Sequence, residues 1–174
     1  MLFLFIGFFF LFLDFPIAIG TATLNLMPAF VGAALLLVGF GRIESGESRF
    51  LRMRLGAALL GALDLALTLL AVLSVDMGDV LSIVTDALGI LLSLYLAYET
   101  VQHVKALERK HTRPLGGNDL TSSWFLLALG NLLSLFVVYM DSMALLCIAL
   151  QLLSVAWYQL ALYRAWHKIE PLKK

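Results

Sequence analysis

The sequence predicts an all-α integral membrane protein. Six transmembrane helices form three hairpins that enter and leave from the inside, so both termini are cytoplasmic. Three observations carry that prediction. The chain is 61% hydrophobic and only 14% charged over 174 residues, with a mean hydropathy of +0.96; a soluble domain is roughly half apolar and about a quarter charged. Six segments meet or nearly meet the about 20 helical residues that a hydrocarbon core requires: about 1–19, 24–41, 55–75, 80–102, 121–140 and 143–165. All twelve Lys and Arg residues fall into three clusters: Arg42, Arg49, Arg52 and Arg54; Lys105, Arg109, Lys110 and Arg113; Arg164, Lys168, Lys173 and Lys174. The other connections carry only acids: Asp14, Asp76, Asp79 and Asp141. Basic residues are retained on the cytoplasmic side, so this alternation gives both the number of spans and their direction.

Taken in order, the first apolar run reads as a retained span rather than a cleaved leader. No Lys or Arg precedes it, and Asp14 lies where a leader would be uncharged. Phe3, Phe5, Phe8, Phe9, Phe10 and Phe12 crowd all its sides, which suits a peripheral helix against lipid. The second span is irregular. Pro28 interrupts a helix begun at Leu24, because proline lacks an N–H and restricts the residue before it. From Pro28 to Gly41 is only about 21 Å of helix. Residues 20–27 therefore either dip into the outer leaflet as non-helical backbone or form an ordinary outer loop under a thinned bilayer. Residues 41–54 read as a solvated inner turn. Helix four is expected to run past the membrane through Glu99, His103 and Lys105 until Pro114-Leu115-Gly116-Gly117 stops it. Thr121, Ser122 and Ser123 then offer N-caps to helix five. Trp124, Tyr95, Tyr98, Tyr139, Trp157, Tyr163 and Trp166 sit where interfacial aromatic belts belong.

One stretch carries a family resemblance. Leu11-Phe12-Leu13-Asp14, then Leu24-Asn25-Leu26-Met27-Pro28-Ala29-Phe30-Val31-Gly32, then Leu37-Val38-Gly39-Phe40-Gly41 resembles an uncharacterised family of small multi-pass membrane proteins from Gram-positive bacteria. In that family an aspartate ends helix one and Leu-Pro-Asp-Phe-Ile-Gly-Tyr opens helix two. The likeness covers about the first fifty residues, and Ala29 and Ala33 stand here in place of the family's Asp and Tyr. It implies a multi-pass protein of the bacterial plasma membrane and no nameable activity.

The charge pattern and motifs exclude several functions. The basic clusters lack the aromatic interleaving of a nucleic-acid surface, so they read as topology signals and anionic-lipid contacts. The single cysteine, Cys147, excludes an intramolecular disulfide. Neither a phosphate-binding Gly-rich loop, a His-Glu-x-x-His pair nor a Gly-x-Ser-x-Gly elbow is present, so no enzyme and no cofactor is expected. Glu99 and His103, with His111 and His167 elsewhere inside, read as a solvated, salt-bridged helix end rather than a metal site.

What remains is a set of polar side chains inside the apolar segments. Ala57, Gly61, Asp64, Thr68 and Ala71 share one face of helix three. Ser82, Asp86, Gly89, Ser93 and Ala97 share a face of helix four, and Ala144, Cys147, Gln151, Ser154 and Tyr158 a face of helix six. Small residues at this spacing are mostly a packing seam, since lipid gives helices no hydrophobic reason to associate. The acids are different. Asp64 lies about 15 Å from the inner end of its helix and Asp86 about 9 Å from the outer end of its own. An ionised carboxylate at the bilayer centre costs on the order of 3 kcal/mol, and every Lys and Arg lies at the inner face. Such acids are expected to be protonated, hydrated or holding a cation drawn from solution, which is the chemistry of proton relays and cation-coupled transport. The expected function is binding or transport of a small solute or cation, with Asp64, Asp86, Asn131, Gln151, Asp14, Asn25 and Thr68 around the path. The length, six spans and cytoplasmic termini also resemble the substrate-binding subunits of energy-coupling-factor vitamin transporters in architecture. Those subunits dock through small residues on helix one, and no Ala-x-x-x-Ala occurs there in this chain. The alternative is a non-transporting scaffold or accessory subunit whose seams pack against a second copy or a membrane partner.

Overall fold

Six helices and one short β-hairpin account for the regular structure in the computed structural model, which describes residues 2–13, 16–19, 22–25, 28–41, 48–73, 78–134 and 144–169. The elements are α1 (Leu2–Phe12), β1 (Pro16–Ile19), β2 (Ala22–Asn25), α2 (Ala29–Gly41), α3 (Ser48–Val72), α4 (Asp79–His111), α5 (Gly117–Ser134) and α6 (Ala144–Ile169). Among the described residues, three helices are long and apolar enough to cross a membrane: Leu51–Val72, Val80–His111 and Leu145–Ile169. By contrast, α1 and α2 are shorter apolar helices. The chain divides into two compact units, Met1–Ser93 and Leu94–Lys174.

In the first unit the expected helix over 1–19 stops at Phe12, and Leu13 donates the last helical bond to the Phe9 carbonyl at 3.1 Å. Residues 16–19 instead pair antiparallel with 22–25, Pro16 opposite Asn25 and Ile19 opposite Ala22. Proline fits the first position of a two-stranded ribbon because it has no N–H to lose from the ladder. Pro28 in turn prevents a helix from starting at Leu24, so α2 begins at Ala29, five residues later than expected. The backbone of these two segments pairs across the hairpin rather than along a helix. The expected inner turn is also shorter, because α3 already starts at Ser48.

Glycine sets how closely these helices approach. A Cβ on Gly32 would lie 2.7 Å from the Gly7 carbonyl oxygen and 2.9 Å from the Phe10 Cβ, and one on Gly7 would meet Leu36 at 2.8 Å. The α1 and α2 backbones therefore cross in close contact, burying Leu4, Phe8 and Phe12 on one side. Phe8 and Phe12 stack with ring centroids 6.1 Å apart, while Phe5 stays exposed. Helix α1 is thus sided rather than uniformly lipid-facing. Ala33, Leu36 and Phe40 of α2 and Met53, Ala57 and Leu60 of α3 make up most of the remaining core, with Gly61 against Ala33.

The seam of helix four is only partly used. Ser93 and Ala97 are buried, but a Cβ on Gly89 would meet nothing within 4 Å among the described residues. Gly89→Ala should therefore raise stability by about 0.5–1 kcal/mol, the intrinsic helix preference of alanine over glycine. Thermal unfolding in detergent micelles reads this, and a lowered midpoint would mean that Gly89 serves a close contact.

The second unit begins in the C-terminal half of α4, a helix of 33 residues with no proline between Pro28 and Pro114 to break it. It ends at His111, and the turn passes through Thr112 at φ 50° and Gly116 at φ 101°. The left-handed region favours glycine, and α5 resumes at Gly117, so the expected stop at 114–117 is where the chain reverses. Trp124 donates its indole N–H to the Leu94 carbonyl at 3.0 Å and packs on Tyr98 at 5.1 Å between ring centroids. Tyr158 of α6 donates to the Ala97 carbonyl at 3.2 Å. Gly130 lets α5 settle onto α6, since a Cβ there would be 2.8 Å from the Ser154 hydroxyl.

Two expectations are corrected in this unit. Thr121, Ser122 and Ser123 do not cap α5; their hydroxyls donate back into the helix, to Gly117, Asn118 and Leu120 carbonyls at 2.7, 3.2 and 2.9 Å. Glu108 takes the capping role, its Oε1 accepting the N–H groups of Leu115, Gly116 and Gly117 at 2.7, 2.8 and 2.9 Å. Glu99 and His103 are not solvated either: each is 8% exposed, on the α4 face that also buries Leu96, Thr100 and Val104.

Candidate functional site: Asp64 at the N-terminus of α2

The first N–H groups of a helix have no partner inside it and carry the positive end of its dipole. Around the start of α2 the sequence is Met27-Pro28-Ala29-Phe30, with none of the Ser, Thr, Asp or Asn side chains that usually cap. Val31 bonds to the Pro28 carbonyl at 3.1 Å. The remaining donors are met from the neighbouring helix. Asp64 of α3 accepts the Phe30 N–H at 2.7 Å on Oδ2 and also engages the Ala29 N–H. Its carboxylate therefore faces the positive end of a helix, a partner the sequence did not reveal, since 34 positions separate the two residues. A carboxylate at such a terminus is favoured by about 0.3–2 kcal/mol. Asp64 is partly buried.

The other expected site residues are placed as follows. Thr68, one helical turn beyond Asp64 on α3, is partly buried. Asn25 ends β2, the strand that packs against α3. Asp86 lies exposed on α4, and among the described residues no hydrogen bond or ion pair joins it to Asp64. Asp14 lies outside the described residues. Asn131 and Gln151 belong to the second unit. Asn131 is buried and donates its side-chain amide to the Leu127 carbonyl of its own helix at 2.9 Å. Gln151 is partly buried, and its backbone carbonyl accepts from the Ser154 hydroxyl at 2.8 Å. Asp64, Thr68, Asn25 and Asp86 thus share one unit, and Asn131 and Gln151 the other. Among the described residues, no three His, Cys, Asp or Glu side chains converge as metal ligands would.

Glu108 was missed by sequence reasoning. Burial pushes its carboxyl up, but the Gly117, Leu115 and Gly116 N–H groups and the Lys105 ammonium outweigh that and hold it below the ordinary value of 4.5. Only the following Leu-Gly-Gly, which must turn through positive φ, hinted at a fold-organising acid nearby.

Compared with known proteins, the chain matches no family model, no curated protein and no solved structure.

Proposed function

We propose that this is a six-span protein of the cell membrane, with cytoplasmic termini, that binds or moves a small solute, proton or cation through a polar site around Asp64. One observation carries the reading. A carboxylate deep in the apolar segment Leu51–Val72 meets the N-terminus of α2, whose 13 residues reach only about 20 Å. Half-length helices preceded by non-helical backbone are tolerated at membrane depth where they border a cavity, and they place helix ends and carboxylates at transport sites. The sorting of Lys and Arg supports the six-span orientation. Asp86 is a further polar candidate in the same unit, and Asn131 and Gln151 are candidates within the second unit. The motifs absent from the chain support neither an enzyme, a resident cofactor nor a nucleic-acid partner.

A second reading has its own support. The hydrogen bonds from Ala29 and Phe30 account for Asp64 as a cap that holds α2 to α3, and Asn131 is bonded within its own helix. On that reading the protein is a non-transporting scaffold or accessory subunit of a larger membrane assembly, formed with a second copy or another chain.

Replacing Asp64 and Asp86 together by asparagine separates the two. Asparagine keeps an acceptor oxygen for the α2 amides and removes the ionisable group. Transport predicts a thermal midpoint within a few degrees of wild type and at least about a tenfold drop in proton, sodium or potassium flux in reconstituted vesicles with an imposed gradient. Unchanged flux in the variant leaves the scaffold, and no flux in wild type leaves the scaffold or a solute other than these ions.

A further inference from the structure

We infer that the inner end of the second unit is a docking surface for the phosphate headgroups of anionic phospholipids, formed jointly by the ends of α4 and α6. The turn after α4 lies on α6, because a Cβ on Gly116 would sit 3.9 Å from the Ala165 Cα and Cβ. Leu115, next to Gly116, and Ala165 are both buried. Lys105 lies against the first residue of α5, its Cγ 2.9 Å from where a Cβ on Gly117 would stand. Two basic clusters far apart in sequence are thereby brought to one end: Lys105, Arg109, Lys110 and Arg113 from α4 and its turn, Arg164 and Lys168 from α6.

Few acids oppose them. Glu108 is partly buried, and its Oε1 is engaged by three backbone N–H groups. Asp119 is exposed in the first turn of α5, and Glu170 lies outside the described residues. All six cations except Lys105 are exposed.

The exposed side of α6 indicates which partner this charge meets. Leu145, Ile148, Leu152 and Leu153 are exposed, then Trp157 and Leu160, then Tyr163 stacked on His167 at 6.4 Å, then Arg164 and Lys168. That order of aliphatic, aromatic and basic side chains follows hydrocarbon, interface and headgroup. A water-soluble acidic partner would not require the aromatic step. The cations therefore stand where lipid phosphates lie, and two helices contribute to one patch, which makes it more than a topology signal.

Full-length protein in detergent, mixed with equimolar phosphatidylglycerol and phosphatidylcholine and examined by native mass spectrometry, tests this. Wild type should retain the anionic lipid with about a tenfold preference, each lost cation weakening it several-fold. Arg113→Gln with Arg164→Gln and Lys168→Gln should bring the preference close to one, whereas Arg52→Gln with Arg54→Gln in the first unit should leave it intact. Helicity by circular dichroism verifies folding, and Lys168→Gln alone, with a several-fold loss, serves if the triple variant does not fold. Wild type without preference, a patch variant that keeps it, or equal loss in the first-unit variant would each overturn the inference.

Discussion

Glu108→Ala is expected to destabilise the protein by about 2 kcal/mol and to free the start of α5. Three consecutive N–H groups lose their acceptor at once. Hydrogen bonds to a charged group are worth about 1.5–3 kcal/mol each when fully desolvated, but this carboxylate is only partly buried, so water replaces much of the loss. A helix cap alone contributes about 0.5–2 kcal/mol, and the negative charge at the α5 N-terminus adds to it. Glu108→Gln keeps an acceptor without the charge and should lose about half as much. The pH dependence has a definite sign. Because the folded carboxyl titrates below its ordinary value of 4.5, its contribution is complete above that value and fades as the pH falls through the lower, folded one. Melting curves at pH 7, 5, 4 and 3 should show wild type losing stability over the acid part of that range, with Glu108→Ala flatter there. Parallel curves for the two proteins would remove Glu108 from this role.

Gly32→Leu should be the most damaging change in the first unit. Its new Cβ would stand 2.7 Å from the Gly7 carbonyl oxygen, and a backbone atom cannot swing aside as a flexible side-chain end can. Overpacking costs typically about 1–3 kcal/mol, and a leucine extends well beyond the first clashing carbon, so α1 should part from α2. Gly32→Ala should show the lower part of that range. Proteolysis and thermal unfolding in micelles report the loss, with Gly89→Ala as the matched control in open space. A Gly32→Ala protein that melts like wild type would refute the close crossing.

The long helices were legible because their apolar runs contain no proline, and Pro114 with Gly116 and Gly117 marked the reversal correctly. The first two helices were harder. Pro16 and Pro28 each forbid helix locally, but nothing in their neighbourhood states that the backbone between them will pair with itself as β1 and β2. Capping shows the deeper reason. Thr121, Ser122 and Ser123 carry the local signature of an N-terminus, yet their hydroxyls bond back into α5, while the acids that do the capping come from α4 and α3. Short-range rules cannot see a partner 34 positions away, as for Asp64 and Phe30. Asp64 was recognisable as an acid in an apolar segment; its partner was not. Glu99 and His103 looked solvated because they adjoin a basic cluster, and helix packing buried them instead.

The cap across α2 and α3 also bears on how the chain is made. A ribosome that has delivered residues 29 to 41 has not yet delivered Asp64, so the growing polypeptide holds bare amides with nothing to receive them. The N-terminal hairpin and the helix after it are therefore expected to wait beside the insertion machinery until the third helix emerges, and to settle with it as one piece. A chain released early, before position 64, should be a preferred target for membrane quality-control proteases.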